Sequence, residues 1–282
     1  HGLYYTWYTS AMNSVKTAWF FDVDGVLTNP EVKIANPEIL SEIARMLGKG
    51  DPVALVTGRS VDFMRDRVIA PLKGILSSPN LLRNFLAVGE KGGAWISYDG
   101  NGEEEENIDS DISVTQELVE KVKNLIDEEF SDVMFFDGTK KTMISTEMND
   151  GEDLEKYHRS QQMLKKKLEQ LVDQSGMKDR LDIDPTTIAT DIQSKHVGKD
   201  FAARRVMEWL SSRKINPLQF VTIGDSKSDI PMAQEVHDQG FSVTMVFVGK
   251  PQDVANLQTP FPLIKTANLY EKGTLEYLQN YS

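Results

Sequence analysis

The sequence predicts an α/β fold: a parallel sheet with helices on both faces, into which a smaller α+β unit is inserted. Three observations carry this. Short apolar runs alternate with helical patterns in both terminal parts of the chain, and several of these runs stop at Asp, Thr or Gly turns. Between residues 103 and 190 the alternation gives way to helix, two strands, long helix and strand, which groups as α+β. The 282 residues are 40% hydrophobic and 26% charged, enough apolar material for a sizeable core and a length that suits about two domains.

Residues 18–23 (AWFFDV) read as a buried strand that stops at Asp24-Gly25. Residues 37–47 place Ile39, Leu40, Ile43, Met46 and Leu47 at helical spacing, closed by Gly48 and Gly50. Residues 52–56 (PVALV) form a second strand, followed by Thr57-Gly58-Arg59-Ser60 and a helix over 61–69. Residues 85–88 make a third strand. The acidic stretch 100–111, with four glutamates from 103 to 106, reads as a solvated loop. Inside the insert, 114–130 is an amphipathic helix and 133–136 and 142–148 are strands. A long helix over 153–174 is striped by Leu154, Tyr157, Leu164, Leu168 and Leu171, and 187–192 is another strand. Alternation resumes with a helix at 200–210, a strand at 220–223, a helix at 229–236, strands at 243–248 and 262–265, and a closing helix at 269–278. Trp95, Trp209 and Phe135 are expected in the core.

The catalytic core is therefore expected in 15–102 and 191–282, and the insert in 103–190. Residues 1–14 are set aside as an appended or disordered segment, with Met12 as the expected native start. Residues 1–10 show no basic region followed by an apolar stretch and a small-residue cleavage site.

Composition excludes several classes. Thirty-one Lys and Arg against 43 Asp and Glu give a net charge of −12, without a basic cluster for a phosphate backbone, so no nucleic-acid partner is expected. No apolar run approaches the ~18 residues of a membrane span, so no membrane partner is expected either. Cysteine is absent, which rules out a disulfide framework, a thiolate nucleophile and a Cys-ligated zinc, and fits a reducing, cytoplasmic setting.

Four segments carry chemistry. Asp22-Val23-Asp24-Gly25-Val26-Leu27-Thr28 ends the first strand, and alternation puts Asp22 and Asp24 on one side. Paired carboxylates repel unless a cation or shared proton relieves them. Thr57-Gly58-Arg59-Ser60 offers a hydroxyl, backbone amides and a helix start to an anion. Val197-Gly198-Lys199-Asp200-Phe201-Ala202 opens a helix with a lysine suited to a phosphate. Gly224-Asp225-Ser226-Lys227-Ser228-Asp229 ends a strand, and its two carboxylates with Asp22 would surround a hard cation such as Mg²⁺. Each segment alone is commonplace: a polar turn, a solvated lysine, or for DxD the metal site of a nucleotide-sugar glycosyltransferase.

In this order, each at the end of a strand, the four resemble the motifs of the haloacid dehalogenase (HAD) superfamily of phosphatases: DVDGVLT, VTGR, VGKDFA and GDSKSD. The resemblance covers the two flanking core segments and implies a Rossmann-like core. It implies Asp22 as the nucleophile that forms an aspartyl-phosphate and Asp24 as general acid/base, with Thr57 and Lys199 on the phosphoryl oxygens. Asp22, Asp24 (through its carbonyl), Asp225 and Asp229 are the implied Mg²⁺ site, Asp229 as a ligand or behind one. Gly25, Gly58, Arg59, Glu90 and Lys91 are the implied substrate contacts. An Asp two residues after the nucleophile argues against the dehalogenases and ion-pumping ATPases of the superfamily.

The insert falls between the second and third motifs, which is similar to the large α+β cap of Cof-type, sucrose-phosphate, trehalose-phosphate and mannosylglycerate-phosphate phosphatases and of the eukaryotic-type phosphomannomutases. Glu90-Lys91-Gly92-Gly93-Ala94 stands where those relatives have an E-N-G-A-like turn, with Lys-Gly replacing Asn. Lys140, Lys141, Glu147 and Asp191 are candidate substrate contacts in the cap, and His196 and Trp95 are candidates at its edge. The expected activity is Mg²⁺-dependent hydrolysis of a small phosphorylated sugar or related metabolite. The alternatives are a phosphohexomutase, for which Lys140-Lys141 or Lys165–Lys167 would have to hold a second phosphate, and a non-catalytic binding protein on the same fold. Oligomeric state is not legible.

Overall fold

The computed structural model describes residues 17–29 and 33–280; the segment 1–14 set aside above lies outside them. β1 (Thr17–Phe21) is buried along its whole length, as a central strand covered on both faces requires. Asn36 caps α1 (Pro37–Lys49) by accepting the Glu38 N–H at 2.9 Å, Pro37 opens the helix, and Gly50 ends it. β2 (Val53–Val56) leads to α2 (Val61–Met64), which Ser60 caps and which continues through a π turn at Arg65–Ile69 into α3 (Ala70–Ile75). β3 (Phe85–Gly89), β4 (Ala94–Tyr98) and β5 (Glu104–Ile108) follow as an antiparallel meander. Next come α4 (Gln116–Glu129), β6 (Met134–Phe136), β7 (Ile144–Met148), α5 (Leu154–Gln174), β8 (Leu181–Pro185) and β9 (Ala189–Ser194). The chain closes with α6 (Lys199–Ser212), β10 (Gln219–Gly224), α7 (Ile230–Asp238), β11 (Val243–Phe247), β12 (Leu263–Lys265) and α8 (Tyr270–Asn280).

The large sheet has eight strands in the order β12-β11-β10-β1-β2-β3-β4-β5, parallel from β12 to β3. Successive residues of β1 point to opposite faces. Trp19 and Phe21 enter the core shared with α1 and α8, whereas Ala18 and Phe20 enter the core shared with α6 and α7. Asp22 continues the even series and so leaves the sheet on the α6 side. Phe21 is in register with Ile223 and Leu55, so β1, β10 and β2 end side by side. The chain runs outward from β1 in both directions, and such a switch point opens a crevice at the strands' carboxyl ends.

The small sheet, β6-β7-β9-β8, is antiparallel throughout. Ile144 and Ile192 face α4 and α5, where Leu118, Val122, Tyr157, Leu164 and Leu168 complete a third core. The alternate residues Ser145, Glu147, Asp184, Asp191 and Gln193 therefore form the other, polar face of this sheet.

Several expectations need correction. The glutamates of 103–106 are not a solvated loop: Glu104 to Ile108 pair with β4, which places this strand in the large sheet rather than in the insert. Charged side chains blunt such an edge strand, and here Arg65 and Lys73 pair with Glu104. At its other end the small sheet runs on to Ser194, past the expected boundary at 190. β4 and β8 were not anticipated, and the strand expected at 187–192 lies at Ala189–Ser194. The buried stripe of α5 is Tyr157, Gln161, Leu164, Leu168 and Val172, while Leu154 is exposed. Trp209 is buried, but Phe135 is 43% exposed and Trp95 only partly covered. Among the described residues, no helix is long and apolar enough to cross a membrane.

Candidate active site

Lys199 organises the site. It is the first residue of α6, and its Nζ lies 2.5 Å from Asp22 Oδ1 and 2.9 Å from Asp229 Oδ1 while donating to the Val56 carbonyl at 2.7 Å. One ammonium thus joins the ends of β1 and β2 to the loop after β10. Asp22 Oδ1 also accepts the Val23 N–H at 2.7 Å. Both bonds fall on Oδ1, which leaves Oδ2 for another partner.

The loop after β10 is braced by Asp229, whose Oδ2 accepts the N–H groups of Asp225 (3.1 Å) and Ser226 (3.0 Å) and the Ser226 hydroxyl (3.1 Å). That capping box draws Asp229 against Gly224, where a Cβ would collide with the Asp229 side chain. Gly25 has φ 73°, and a Cβ there would collide with the Asp225 carboxylate. Glycine at both places lets Asp225 close on the loop that follows Asp22.

Carboxylate oxygens of Asp22, Asp225 and Asp229 lie within 4.8 Å of one another. Burial pushes the Asp22 carboxyl well above its usual range, against the pull of Lys199 and with a further push from Asp229 and Asp225. Burial and the neighbouring Asp229 push Asp225 up to about 6. Burial opposes the charge of Lys199, but Asp22 and Asp229 outweigh it and hold the ammonium above its ordinary value. Three acids around one base leave unbalanced negative charge, and the ligand atoms their side chains offer are carboxylate oxygens. This set fits a hard divalent cation of the Mg²⁺ kind, not a soft metal.

Asp24 stands apart from that group. Its two oxygens accept from Arg59 Nε at 2.9 Å and Arg59 Nη2 at 3.0 Å, so its side chain is not in the carboxylate cluster expected to hold metal. Arg59 Nη1 also lies 4.0 Å from Glu147, whose carboxyl burial pushes up. Thr57 is buried and its Oγ1 accepts the Arg59 N–H at 3.1 Å. The Gly58 carbonyl accepts from Lys140 Nζ at 2.6 Å.

A cavity of about 280 Å³ lies over these groups, between the strand ends of the large sheet and the polar face of the small one. Asp22, Asp24, Thr57, Gly58, Arg59 and Lys199 line its floor, and Ser145, Glu147 and Asp191 belong to its roof. Lys91 and Lys140 stand at its sides. Glu90, expected to touch substrate, is fully buried; its oxygens accept the N–H groups of Lys141 and Thr142 and the Thr142 hydroxyl, at 2.8 to 3.1 Å. Lys141 turns away to Asp62 and Glu106. Trp95 lies under the Arg205 guanidinium, 4.0 Å from its ring centroid, and does not line the cavity; nor does His196. Sequence reasoning missed Ser145, Thr186, Ile188, Ala189 and Ser228. Period-two spacing from Glu147 would have found Ser145, which the register sets opposite Asp191 at a hydrogen bond of 2.6 Å. No local signal marks the loop residues Thr186 and Ile188.

Comparison with known proteins agrees with this architecture. Residues 19–200 match the model of a family described as haloacid dehalogenase-like hydrolase. No curated protein matches. Among solved structures, a haloacid dehalogenase-like hydrolase from Bacteroides thetaiotaomicron aligns at TM-score 0.63 and 11% identity, over 95% of this chain and 100% of that one. Trehalose-6-phosphate phosphatase from Aspergillus fumigatus aligns at TM-score 0.52 and 18% identity, over 95% and 94%. The sucrose-phosphatase of Synechocystis, solved with sucrose and phosphate, aligns at 0.54 and 15%, over 95% and 98%. At these identities the structures share the fold, and the sequence match extends over well over half of the chain: it belongs to the haloacid dehalogenase-like hydrolase family.

Proposed function

We propose that this chain is a phosphomonoester hydrolase acting on a small phosphorylated sugar or related metabolite. The observation that carries the proposal is the environment of Asp22: a buried carboxylate with one oxygen held by Lys199 and the Val23 N–H, the other free, at the floor of a cavity between the two sheets. In this reading Asp22 Oδ2 attacks phosphorus and the bond to the leaving oxygen breaks. Asp24 gives that oxygen a proton. It then takes one from the water that attacks the aspartyl-phosphate, so that phosphate leaves and Asp22 is restored. To reach the leaving oxygen, Asp24 must exchange its pair with Arg59 for the substrate. Thr57, Gly58 and Lys199 hold the phosphoryl oxygens. Asp22 and Asp225, with Asp229 behind them, would hold Mg²⁺, which when bound supplies charge neutralisation between carboxylate and phosphate.

The roof supports a polyol leaving group. Glu147, Asp191 and Ser145 offer acceptors to hydroxyls, and about 280 Å³ suits a small ligand. We propose that the small sheet with α4 and α5 serves as a cap that excludes water from the intermediate. A mutase would need a second phosphate site in this roof. Lys140 instead donates to the Gly58 carbonyl, Lys141 pairs with acids outside the cavity, and Lys167 pairs with Glu129 on the outer helices, so hydrolysis is the better supported reading.

The test is phosphate release from a panel of sugar phosphates and other small phosphomonoesters, with Mg²⁺, with EDTA, and with Asp22→Asn. Release that needs Mg²⁺ and vanishes in the variant is expected. A folded protein that releases phosphate from no member overturns the reading.

A further inference from the structure

Between β3 and β4 the backbone takes two consecutive left-handed steps without glycine, at Glu90 (φ 50°) and Lys91 (φ 54°). Such conformations cost energy for side chains with a Cβ, and persist where the surroundings hold them. Here the main chain is held from both sides. Glu90 N–H donates to the Arg59 carbonyl at 2.9 Å and Lys91 N–H to the Thr57 carbonyl at 3.0 Å, while the Lys91 carbonyl accepts the Gly198 N–H at 3.2 Å. The turn is therefore wedged between the loop that carries Thr57 and the start of the helix that carries Lys199.

Both side chains then reach across to the small sheet, at opposite ends of it. Glu90 takes the N–H groups of Lys141 and Thr142, in the connection from β6 to β7. Lys91 Nζ donates to Gln193 Oε1 at 2.7 Å and Asp184 Oδ2 at 3.1 Å, and lies 3.6 Å from Asp191 Oδ2. Those three acceptors belong to β8 and β9 and to the polar face that roofs the cavity. A dianionic phosphate below and Asp184, Asp191 and Glu147 above would repel each other. A cation seated between roof and floor removes that repulsion, and Lys91 is fixed to both.

We propose that Lys91 is a positioning residue. Together with Glu90 it clasps the small sheet at both ends and sets the height and register of the roof over Asp22. The proposal rests on the phosphohydrolase reading for its kinetic consequence but not for its geometry. The unusual turn conformation is maintained because it aims two side chains of opposite charge at two separate parts of the roof.

The test uses the full chain and three variants, Lys91→Arg, Lys91→Asn and Lys91→Gly. Gly accepts positive φ without strain and Asn tolerates it, so both keep the turn while losing the reach. Because the sequence contains no cysteine, Met163→Cys on α5 and Leu218→Cys beside β10, both exposed positions, place a spin label on each layer without background. Electron–electron resonance then reads the distance between the layers. We expect one narrow distribution for the parent and for Lys91→Arg, and a broadened or displaced one for the Asn and Gly variants. With p-nitrophenyl phosphate and Mg²⁺, kcat/KM should fall by about tenfold in those two variants, since only part of what the lost Lys91 contacts hold in place bears on the transition state. Lys91→Gly should nevertheless melt no lower than the parent, which separates positioning from stabilisation. Asn and Gly variants with the parent's distance distribution, or with the parent's kcat/KM, overturn the proposal. If the parent releases phosphate neither from p-nitrophenyl phosphate nor from any member of the panel, the hydrolase reading fails, and the distance measurement alone still decides the clasp.

Discussion

Two clusters of carboxylates lie in the large sheet, and they are built on opposite terms. On β5, Glu104 and Glu106 meet Arg65 at 2.8 and 2.6 Å, with Lys73 and Lys141 as further partners. Burial opposes their ionisation, but the guanidinium and ammonium groups outweigh it and hold both carboxyls below the usual range. At the ends of β1 and β10, Asp22 and Asp229 pair with one lysine, Asp225 lies beside them, and Asp22 and Asp225 are pushed upward. The edge cluster is complete in itself and seals a strand. The inner cluster is incomplete, and that deficit is what a cation and a phosphate can fill. Acidic residues mark a functional site when the fold gathers them without supplying their counter-charges.

Neutralising one member of each cluster should separate the two most sharply. Asp22→Asn should lower Mg²⁺-dependent phosphate release by on the order of 10³-fold or more. The same change should leave the melting temperature unchanged or higher, because a repelling charge is gone. A large fall in melting temperature would make the inner cluster structural after all.

The two clusters should also respond to pH with opposite signs. Asp225 ionises near 6 when folded against an ordinary 3.8, so the folded state keeps its proton longer. In EDTA, stability should therefore decline as pH rises from about 4 to 6, by roughly 3 kcal/mol from this group, whose own contribution then levels off. Glu104 and Glu106 act the other way: their contribution is present above about 4.5 and is lost as pH falls through their lowered values. Denaturant titrations from pH 3 to 8 would read both arms, and a flat profile between 4 and 6 would contradict the inner one.

Mg²⁺ at about 100 times its dissociation constant should add about 3 kcal/mol to the parent. It should add little to Asp225→Asn, and differential scanning calorimetry compares the two. Smallest of all, Arg65→Met should cost about 1 kcal/mol, a few degrees of melting temperature, with phosphate release intact. Loss of activity in Arg65→Met would erase the contrast between the clusters.

Much of the inner site is readable from sequence because each member follows a strand. Asp22, Thr57 and Asp225 come straight after apolar runs, Lys199 opens a helix, and the alternating pattern brings those ends together. Asp24 shows the limit. Its place was evident, but its partner Arg59 is 35 positions away and nothing local announces the pair. β5 was hidden for the same reason. Four glutamates in a row repel one another, and only Arg65, Lys73 and Lys141, drawn in by the tertiary fold, let the last three join a strand. The roof was half legible: Glu147 and Asp191 could be named, whereas Asp184 and Gln193 acquire meaning only from the reach of Lys91.

The strand order has a consequence for how the chain is made. β1 is among the first segments of the described chain to be synthesised, yet one of its edges pairs with β10, Thr17 with Gln219 through Phe21 with Ile223. Until β10 is synthesised, the hydrogen-bonding edge of an aromatic strand has no native partner. Parallel pairings across such a separation form slowly and expose sticky edges meanwhile. The nascent chain must therefore shelter β1 through the synthesis of the whole small sheet, and Asp22 meets Asp225 only after that sheet and α6 have been built. The site thus joins an early part of the described chain to a late one, and a chain ending before β10 holds Asp22 without Asp225 and Asp229.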